Sequence, residues 1–279
     1  MSPAPAPASR VSLAPPSPAR RLLHRLRHGG PAWLFSAVFN RLVPARPAVR
    51  GAVRDLSRTA TVLEIGGPSA VFGAGQLLPV YAAAAKIDNV NFSSHTAWEA
   101  GLRDGGVFAP HPTLSPGRQY LREATSLSGL PDGSYDLVIS SHCLEHVANP
   151  LAALAEWRRV VRPGGHLLLL LPDPRRTFDH RRPVTTLDHL RQDRNAARGE
   201  DDLTHLDEIL RLHDLGRDPH AGSHDAFVAR ARLNPENRCL HHHVFDLDLM
   251  RAALSDTGWH PLALERARPL HLIALARNP

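Results

Sequence analysis

The chain has 279 residues, 43% of them hydrophobic, which is enough to bury one large core or a core with an insertion. Its formal net charge is +6, but Lys86 is its only lysine and the arginines are scattered along the sequence, which argues against a nucleic-acid-binding protein. Two cysteines exclude a disulfide scaffold, and no apolar run reaches the roughly 20 residues that a membrane-spanning helix needs.

The beginning of the chain is predicted to differ from the rest. Residues 1–19 are rich in Pro, Ala and Ser, and they hold too few large apolar groups to offset the entropy lost on ordering, so we expect a disordered tail. They contain no apolar signal-peptide centre, which predicts a cytoplasmic protein. Residues 20–58 form a predicted N-terminal helical segment that either packs over a sheet edge or lies as a basic, aromatic anchor on a membrane surface.

Residues 59–279 are predicted to form one α/β domain. The runs "TVLEI", "AKIDNVNF", "YDLVIS" and "HLLLLLP" predict strands, and the last two are nearly unbroken apolar runs, as in parallel sheets that are buried on both faces. Between those two, Pro150 begins a predicted helix that Pro163, Gly164 and Gly165 end. Strand, helix and strand with short connections indicate a right-handed βαβ unit.

A polar insertion is predicted at residues 174–238. Half of the eighteen histidines lie between His180 and His243. Within this stretch Thr204 begins a predicted capped helix that ends at Gly216. The run "DLDLMRAALSDTGW" then predicts a helix, and "HPLALERARPLHLIALAR" predicts two closing strands.

The end of the first predicted strand is a candidate cofactor site. Glu64 is followed by Gly66 and Gly67, and glycine lets the backbone approach a ligand closely. Asp88 follows Gly66 at a spacing close to that of a ribose-binding carboxylate. A nicotinamide dinucleotide fits less well, because the G-x-G-x-x-G triple is incomplete.

The combination of "VLEIGGP", "DGSYD", "LEHV" and "RPGG" resembles the class I S-adenosylmethionine-dependent methyltransferases, specifically the methyltransferase type 11 group. The resemblance covers about residues 61–173 and resumes at "HHHVFDLDLMRAALSDTGW". It implies a Rossmann-like, seven-stranded sheet, mostly parallel with a reversed last strand, with helices on both faces. The polar insertion would then follow the fifth strand.

The resemblance also implies S-adenosylmethionine as the cofactor and assigns residues to it. Glu64 would face the amino-acid end of the cofactor and Asp88 would bind the ribose hydroxyls. The remaining implied contacts are the turn of Gly66, Gly67 and Pro68, the adenine loop of Ala124 and Thr125, and Ser141 and His142 beside the methyl-bearing sulfur.

His142 is the first candidate catalytic residue. A hydroxyl acceptor must lose its proton, and an imidazole with a pKa near neutrality can take it. Glu145 and His146 are predicted to begin the next helix, where Glu145 suits the positive helix end.

His180 and His243 are the other candidate catalytic residues. They lie in "TFDHRRPVTTLDH" and "HHHVFD", which are predicted to face each other across the acceptor pocket, where Arg181 and Arg182 would bind an anionic group.

A metal site is an alternative for the histidines. If "HHHVFD" is extended, His241 and His243 share one face, and Asp179, His180 or Asp225 could complete a zinc or iron site. Because the sequence contains neither C-x-x-C nor H-E-x-x-H, we assign no metal ligands.

We therefore expect an S-adenosylmethionine-dependent methyltransferase that acts on a small-molecule or carrier-linked polar acceptor, such as a sugar or glycan precursor. Two alternatives stay open: a metal-dependent enzyme that uses the histidines on the same sheet, and a catalytically silent cofactor-binding partner of another enzyme.

Overall fold

A computed structural model describes residues 47–96, 101–112 and 114–279. The predicted disordered tail and residues 20–46 of the predicted N-terminal helical segment lie outside the described residues. The rest of that segment contains helix α1, Arg50–Ser57, whose Val53 is buried. Among the described residues, every helix is too short or too polar to cross a bilayer.

The described residues contain one eight-stranded sheet in the order β3-β4-β2-β1-β5-β6-β8-β7. Its strands are β1 Thr61–Ile65, β2 Lys86–Asn91, β3 Val107–Phe108, β4 Gly117–Leu121, β5 Tyr135–Ser141, β6 Val161–Pro172, β7 His260–Ala267 and β8 His271–Arg277.

The sheet is mostly parallel, as predicted. Strands β4, β2, β1, β5 and β6 pair in parallel, whereas β8, the last strand in the sequence, runs antiparallel to both β6 and β7. The expected number of seven strands is wrong by one. The additional strand is β3, a two-residue strand that pairs antiparallel with β4 at the edge of the sheet.

The apolar run in β6 explains why the sheet is buried on both faces. Successive side chains of a strand point to opposite faces. Leu167, Leu169 and Leu171 therefore join one hydrophobic core, whereas Leu168 and Leu170 join the core on the other face.

A helix that follows β5 packs against the first of these cores. Helix α2, Pro150–Val160, begins after Asn149, whose side chain accepts a hydrogen bond from Ala152 N. It ends directly before β6, so the "RPGG" stretch that was predicted to end the helix lies within the strand instead. Glu145 and His146 do not begin this helix, because they lie in a separate 3₁₀ turn, Leu144–His146.

The segment between β6 and the last helix is helical and polar. It contains α3 Leu187–Asn195, α4 Leu206–Leu212, α5 His224–Arg232 and α6 Asn234–Asn237, and it is followed by α7 Leu247–Asp256. The helix predicted to span Thr204 to Gly216 is shorter than expected, since α4 ends at Leu212 and a 3₁₀ turn covers Leu215–Arg217. We call residues 173–246 the insertion.

Candidate active site

A cavity of about 260 Å³ opens where the carboxyl ends of β1, β2 and β5 meet. In an open parallel sheet, ligands bind beyond these strand ends. Residues from five parts of the described chain line the cavity: Ile65, Gly66, Pro68 and Ser69; Val90, Asn91, Phe92 and Thr96; Arg122, Glu123 and Ala124; Ser141, His142, Cys143, His146 and Val147; and, from the insertion, Glu200 and Arg238.

In the turn after β1, which contains Gly66 and Gly67, main-chain atoms line the cavity without a side chain that covers them. Gly66 has φ +82°, in the left-handed region that favours glycine, and its N–H donates to the carbonyl of Val90. A Cβ at Gly67 would lie 2.2 Å from Cδ of Glu64, so a larger residue cannot occupy that position without displacing the carboxyl group. The predicted close approach of backbone to a ligand has its structural basis here.

Glu64 does not face the cavity as the resemblance implied. Its side chain is fully buried behind the turn, where it accepts hydrogen bonds from Ser69 N (2.9 Å) and from the Tyr81 hydroxyl (2.8 and 2.9 Å). Burial raises the pKa of Glu64 to about 7 although these hydrogen bonds oppose the shift. Glu64 therefore stabilises the glycine turn by hydrogen bonds. Any effect of Glu64 on a bound ligand would be indirect, through the position of that turn.

Three amide side chains, which the sequence analysis did not single out, fix the same turn from the side of β2. Asn89 exchanges two hydrogen bonds of 3.1 Å with the N–H and carbonyl of Gly67, and Asn91 donates to the same carbonyl. Gln119 of β4 bonds to both asparagines. The signal in the sequence was Asn at alternate positions of a strand, which places both side chains on one face.

Asp88 is not at the cavity. Its carboxylate accepts from Arg118 N (2.7 Å) and from the Tyr135 hydroxyl (3.0 Å) inside the sheet. Spacing from Gly66 had selected this residue, but β2 continues to Asn91, and it is Asn91 at the strand end that lines the cavity.

The loop after β4 supplies the next wall. Ala124 lines the cavity as predicted, and its carbonyl accepts from Trp157 Nε1 of α2 at 2.9 Å, which anchors the loop to the core. Thr125 is not among the lining residues. The residue that the prediction missed is Glu123, which contributes a carboxylate to the lining.

The insertion closes the cavity through Arg238. This side chain donates to Glu123 (2.8 Å) and to the backbone carbonyl of Glu200 (3.0 Å), and its guanidinium lies over the ring of Phe92 at 5.1 Å. One arginine thus ties the insertion to the loops after β2 and β4.

His142 lies at the cavity, immediately after β5. Its backbone has φ +52°, its N–H donates to the carbonyl of Leu170, and its Nε2 is 2.9 Å from Nδ1 of His271. Burial, together with the nearby imidazoles of His271 and His241, lowers the pKa of His142 to about 3. The expectation of a pKa near neutrality is therefore wrong, and His142 is a neutral imidazole at physiological pH.

Behind His142 lies a buried carboxyl group, Glu145. Oε1 of Glu145 is 3.9 Å from Nδ1 of His142, 3.9 Å from Nε2 of His146 and 4.0 Å from Nε2 of His241. Burial raises the pKa of Glu145 to about 7, against the opposing charge of His241. His241 is oriented in turn by Asp179, 2.5 Å from its Nδ1.

The other two predicted catalytic histidines lie outside the cavity lining. Nε2 of His180 pairs with Asp214 at 2.8 Å. His243 is fully buried, and its Nε2 is 3.2 Å from the carbonyl oxygen of Ala148. The segments "TFDHRRPVTTLDH" and "HHHVFD" do lie against each other. They do so inside the insertion, because polar groups of one segment pair with polar groups of the other.

Arg182 and Arg181 also differ from the prediction. The guanidinium of Arg182 is 1% exposed, and it donates to Asp179, to Glu208 and to the carbonyls of His241 and His242. With these partners Arg182 cannot bind an anionic acceptor. Arg181 is half-exposed and pairs with Asp214.

The lining fits the implied cofactor, S-adenosylmethionine, in its chemistry. The glycine turn offers backbone without side chains, Phe92 and Ala124 offer apolar contact, and Glu123 and Glu200 supply carboxylates for a ligand that carries positive charge. Ser141, His142 and Cys143 line the cavity at the end of β5, where the resemblance places the methyl-bearing sulfur.

A family model described as "Methyltransferase domain" matches residues 72–169, which begin after the glycine turn and run through most of β6. The matched span contains Asn91, Glu123, Ala124 and His142, and thus most of the cavity wall.

Two curated proteins are similar over part of their length. A malonyl-[acyl-carrier protein] O-methyltransferase of Laribacter hongkongensis is 31% identical over 190 residues, which cover 65% of this chain and 56% of that protein. An uncharacterized 37.1 kDa protein in a transposon of Streptomyces fradiae is 54% identical over 44 residues, 16% of this chain and 13% of that protein. The chain therefore spans little more than half of the longer match.

Solved structures are similar at low identity. An S-adenosylmethionine-dependent methyltransferase of Mesorhizobium loti shares 16% identity with a TM-score of 0.48, covering 83% of this chain and 98% of that chain. A 1,6-didemethyltoxoflavin-N1-methyltransferase of Burkholderia thailandensis shares 16% identity with a TM-score of 0.44, covering 95% and 92%.

Proposed function

We propose that this chain, of which residues 72–169 match a methyltransferase domain model, transfers a methyl group from S-adenosylmethionine to a hydroxyl oxygen of a polar acceptor. The observation that carries this proposal is the wall at the end of β5, where His142 and His146 line the cavity with Glu145 behind them. The acceptor class is a small or carrier-linked molecule, such as a sugar or glycan precursor.

The charge of the wall favours a hydroxyl over a carboxylate acceptor. Glu145 lies behind the imidazoles, and Glu200 and Glu123 line the cavity, whereas Arg238 already pairs with both of these glutamates. Both arginines of the lining, Arg238 and Arg122, are already paired with carboxylates, so an anionic acceptor would find no unpaired arginine among the described lining residues. The Laribacter relative is named a malonyl-[acyl-carrier protein] O-methyltransferase, and this chain would differ from it in its acceptor.

The transfer is a single displacement in which the acceptor oxygen forms a bond to the methyl carbon as the carbon–sulfur bond breaks. S-adenosylmethionine supplies the electrophilic methyl group when it is bound. The chain's residues have two tasks: the glycine turn and the loop of Glu123 and Ala124 hold the cofactor in line, and the β5 wall accepts the hydroxyl proton. Alignment alone accounts for much of such a rate enhancement.

Of the groups in this wall, Glu145 is the one best suited to accept the proton of the acceptor hydroxyl. A base works best when its pKa is near the working pH, and burial places the pKa of Glu145 near 7, whereas that of His142 is about 3. Because Oε1 of Glu145 is 3.9 Å from Nδ1 of His142, beyond direct hydrogen-bond reach, the proton would pass from the acceptor to Glu145 through one intervening water, while His142 stays neutral.

Cofactor binding is tested first, by isothermal titration of the full chain with S-adenosylmethionine and S-adenosylhomocysteine. An acceptor screen then follows S-adenosylhomocysteine release with nucleotide sugars and glycosylated carriers in one set, and carboxylates on acyl carriers in the other. We expect turnover in the first set. Turnover confined to carboxylates would refute the hydroxyl assignment, and binding without any turnover would favour the silent cofactor-binding partner.

The proton-transfer role is tested with Glu145→Gln, which keeps the shape of the side chain and removes its charge. We expect kcat to fall about 10²-fold or more, the usual size of a general-base contribution, while cofactor affinity stays unchanged. Glu123→Gln is the contrasting variant, because its carboxylate lines the cofactor side of the cavity. It should weaken cofactor binding more than it lowers kcat.

A further inference from the structure

A second cluster of metal-ligating side chains lies inside the insertion, apart from the cavity wall. His189 and Asp193 are four residues apart on α3 and so share one face of that helix. His205 lies directly before α4, and His243 lies in the segment between α6 and α7. One ligand atom from each of the four residues lies within 4.8 Å of the others.

Three of the six separations between these ligand atoms are close to those around a tetrahedral ion. With metal–nitrogen bonds of 2.0–2.1 Å, neighbouring ligand atoms of a tetrahedral zinc site are about 3.3 Å apart. Nε2 of His189 is 3.2 Å from Nε2 of His205 and 3.2 Å from Oδ2 of Asp193, and Oδ2 of Asp193 is 3.6 Å from Nε2 of His243.

Burial supplies an independent observation. The side chain of Asp193 is 6% exposed, and its Oδ2 is a buried atom without a hydrogen-bond partner among the described residues. A buried charged oxygen without a partner is destabilising. An unpaired carboxylate oxygen beside three imidazoles indicates that a ligand satisfies it.

We propose that His189, Asp193, His205 and His243 bind one divalent transition-metal ion, and that zinc fits the site best. Three imidazoles and one carboxylate are donors that zinc accepts in tetrahedral geometry, and four protein ligands make a closed site of the structural kind. The ion joins α3, the start of α4 and the segment before α7.

The position of His243 links this ion to the active site. The preceding residue, His242, donates its backbone N–H to the carbonyl of Glu145 at 2.8 Å, and Arg182 holds the carbonyls of His241 and His242. A metal that fixes His243 therefore also fixes the segment that supports the Glu145 turn. Its role is to position this wall, since none of the four ligands lines the cavity.

The proposal is tested by elemental analysis of the full chain, purified without a polyhistidine tag and dialysed against zinc. We expect one zinc per chain, and we expect cobalt-substituted protein to show the strong visible absorption of a tetrahedral site. His205→Ala and Asp193→Asn should each lose the metal, and chelation should lower the melting temperature of the wild type. His224→Ala is the control, because that histidine is exposed and outside the cluster.

The alternative location is the group of Glu145, His146 and His241, which also has metal-ligating side chains. Loss of metal in Glu145→Gln with retention in His205→Ala would overturn the proposal in favour of that group. Absence of stoichiometric zinc or cobalt in folded wild-type protein would overturn it outright. If His205→Ala does not fold, Asp193→Asn and the cobalt spectrum of the wild type still decide the question.

Discussion

The sheet and the insertion bury very different side chains. The two cores on the faces of the sheet consist of aliphatic and aromatic residues, including Trp157 and Phe72, both fully buried. The insertion has a separate core cluster of five buried hydrophobic residues, Ile209, Ala221, Phe227, Ala231 and Leu240, and it adds Leu190 and Phe245 to one core of the sheet. Around them it buries charged and polar groups such as Asp179, Arg182 and His241.

The stability of the sheet and that of the insertion therefore depend on different forces. Apolar burial is non-directional and tolerates changes that conserve volume. A buried polar network is stable only when every member is paired, and removing one partner leaves another group unsatisfied. The sheet should therefore absorb conservative substitutions that the insertion does not.

Arg182→Met tests this contrast where we expect the largest effect. Methionine keeps much of the volume but leaves Asp179 and the carbonyls of His241 and His242 without their partner. Breaking a buried pair in this way typically costs about 3–5 kcal/mol. Chemical denaturation monitored by circular dichroism measures the loss.

The neighbouring substitution Arg181→Met is the matched control. Its side chain is about half-exposed and makes one ion pair at 3.3 Å, so we expect a change within about 0.5 kcal/mol. Equal effects of the two variants would mean that the network around Arg182 contributes nothing special to the insertion.

The contrast between apolar burial in the sheet and polar pairing in the insertion also explains how much of the structure could be predicted from the sequence. Unbroken apolar runs and a Pro start predicted β5, α2 and β6, because periodicity and capping are local signals. The glycine turn and His142 were placed at the cavity for the same reason, since both follow strand ends.

The roles of polar side chains could not be predicted in that way. Glu64 and Asp88 were assigned from position in a motif, yet their partners, Tyr81 and Tyr135, come from distant parts of the chain. The partner of a buried charge depends on tertiary packing, and no local pattern encodes it. His243 was placed in the acceptor pocket and lies in the insertion for this reason.

The pH dependence of stability tests a buried polar group at the boundary between the sheet and the insertion. Glu145 has a pKa of about 7 because of burial, above its usual value near 4.5. A carboxyl group whose folded pKa is raised stabilises the fold fully below its unfolded pKa, and that contribution is lost as the pH rises through about 7. A shift of this size corresponds to about 3 kcal/mol.

We therefore expect the wild type to lose stability relative to Glu145→Gln as the pH rises from about 4.5 to 7. The low pKa of His142 acts in the opposite direction at lower pH, because its charged form is favoured when unfolded. Taking the difference between the two proteins at each pH removes this term. Parallel stability curves for both proteins would contradict the raised pKa.

Gly67→Ala probes how tightly the sheet is packed around the glycine turn, which is one of its buried polar sites. The new Cβ would lie 2.2 Å from Cδ of Glu64, so the buried carboxyl group must move. Overpacking of this kind costs about 1–3 kcal/mol, and we expect cofactor affinity to fall with it. Gly51→Ala in α1 is the control: nothing lies within 4 Å of its Cβ, and alanine should raise stability by about 0.5–1 kcal/mol.

Arg238→Met should give a smaller effect than Arg182→Met, because the ion pairs by which Arg238 joins the two regions are less buried than those of Arg182. The side chain of Arg238 is 13% exposed and its partners Glu123 and Glu200 are 40% and 15% exposed, so their loss should cost about 1–2 kcal/mol, between the values for an exposed and a buried pair. We expect thermal unfolding to show a loss of about that size, against no measurable loss in the exposed control Arg251→Met. A loss as large as that of Arg182→Met would show that the insertion and the cavity loops form one polar network, and the division between sheet and insertion would then be misplaced.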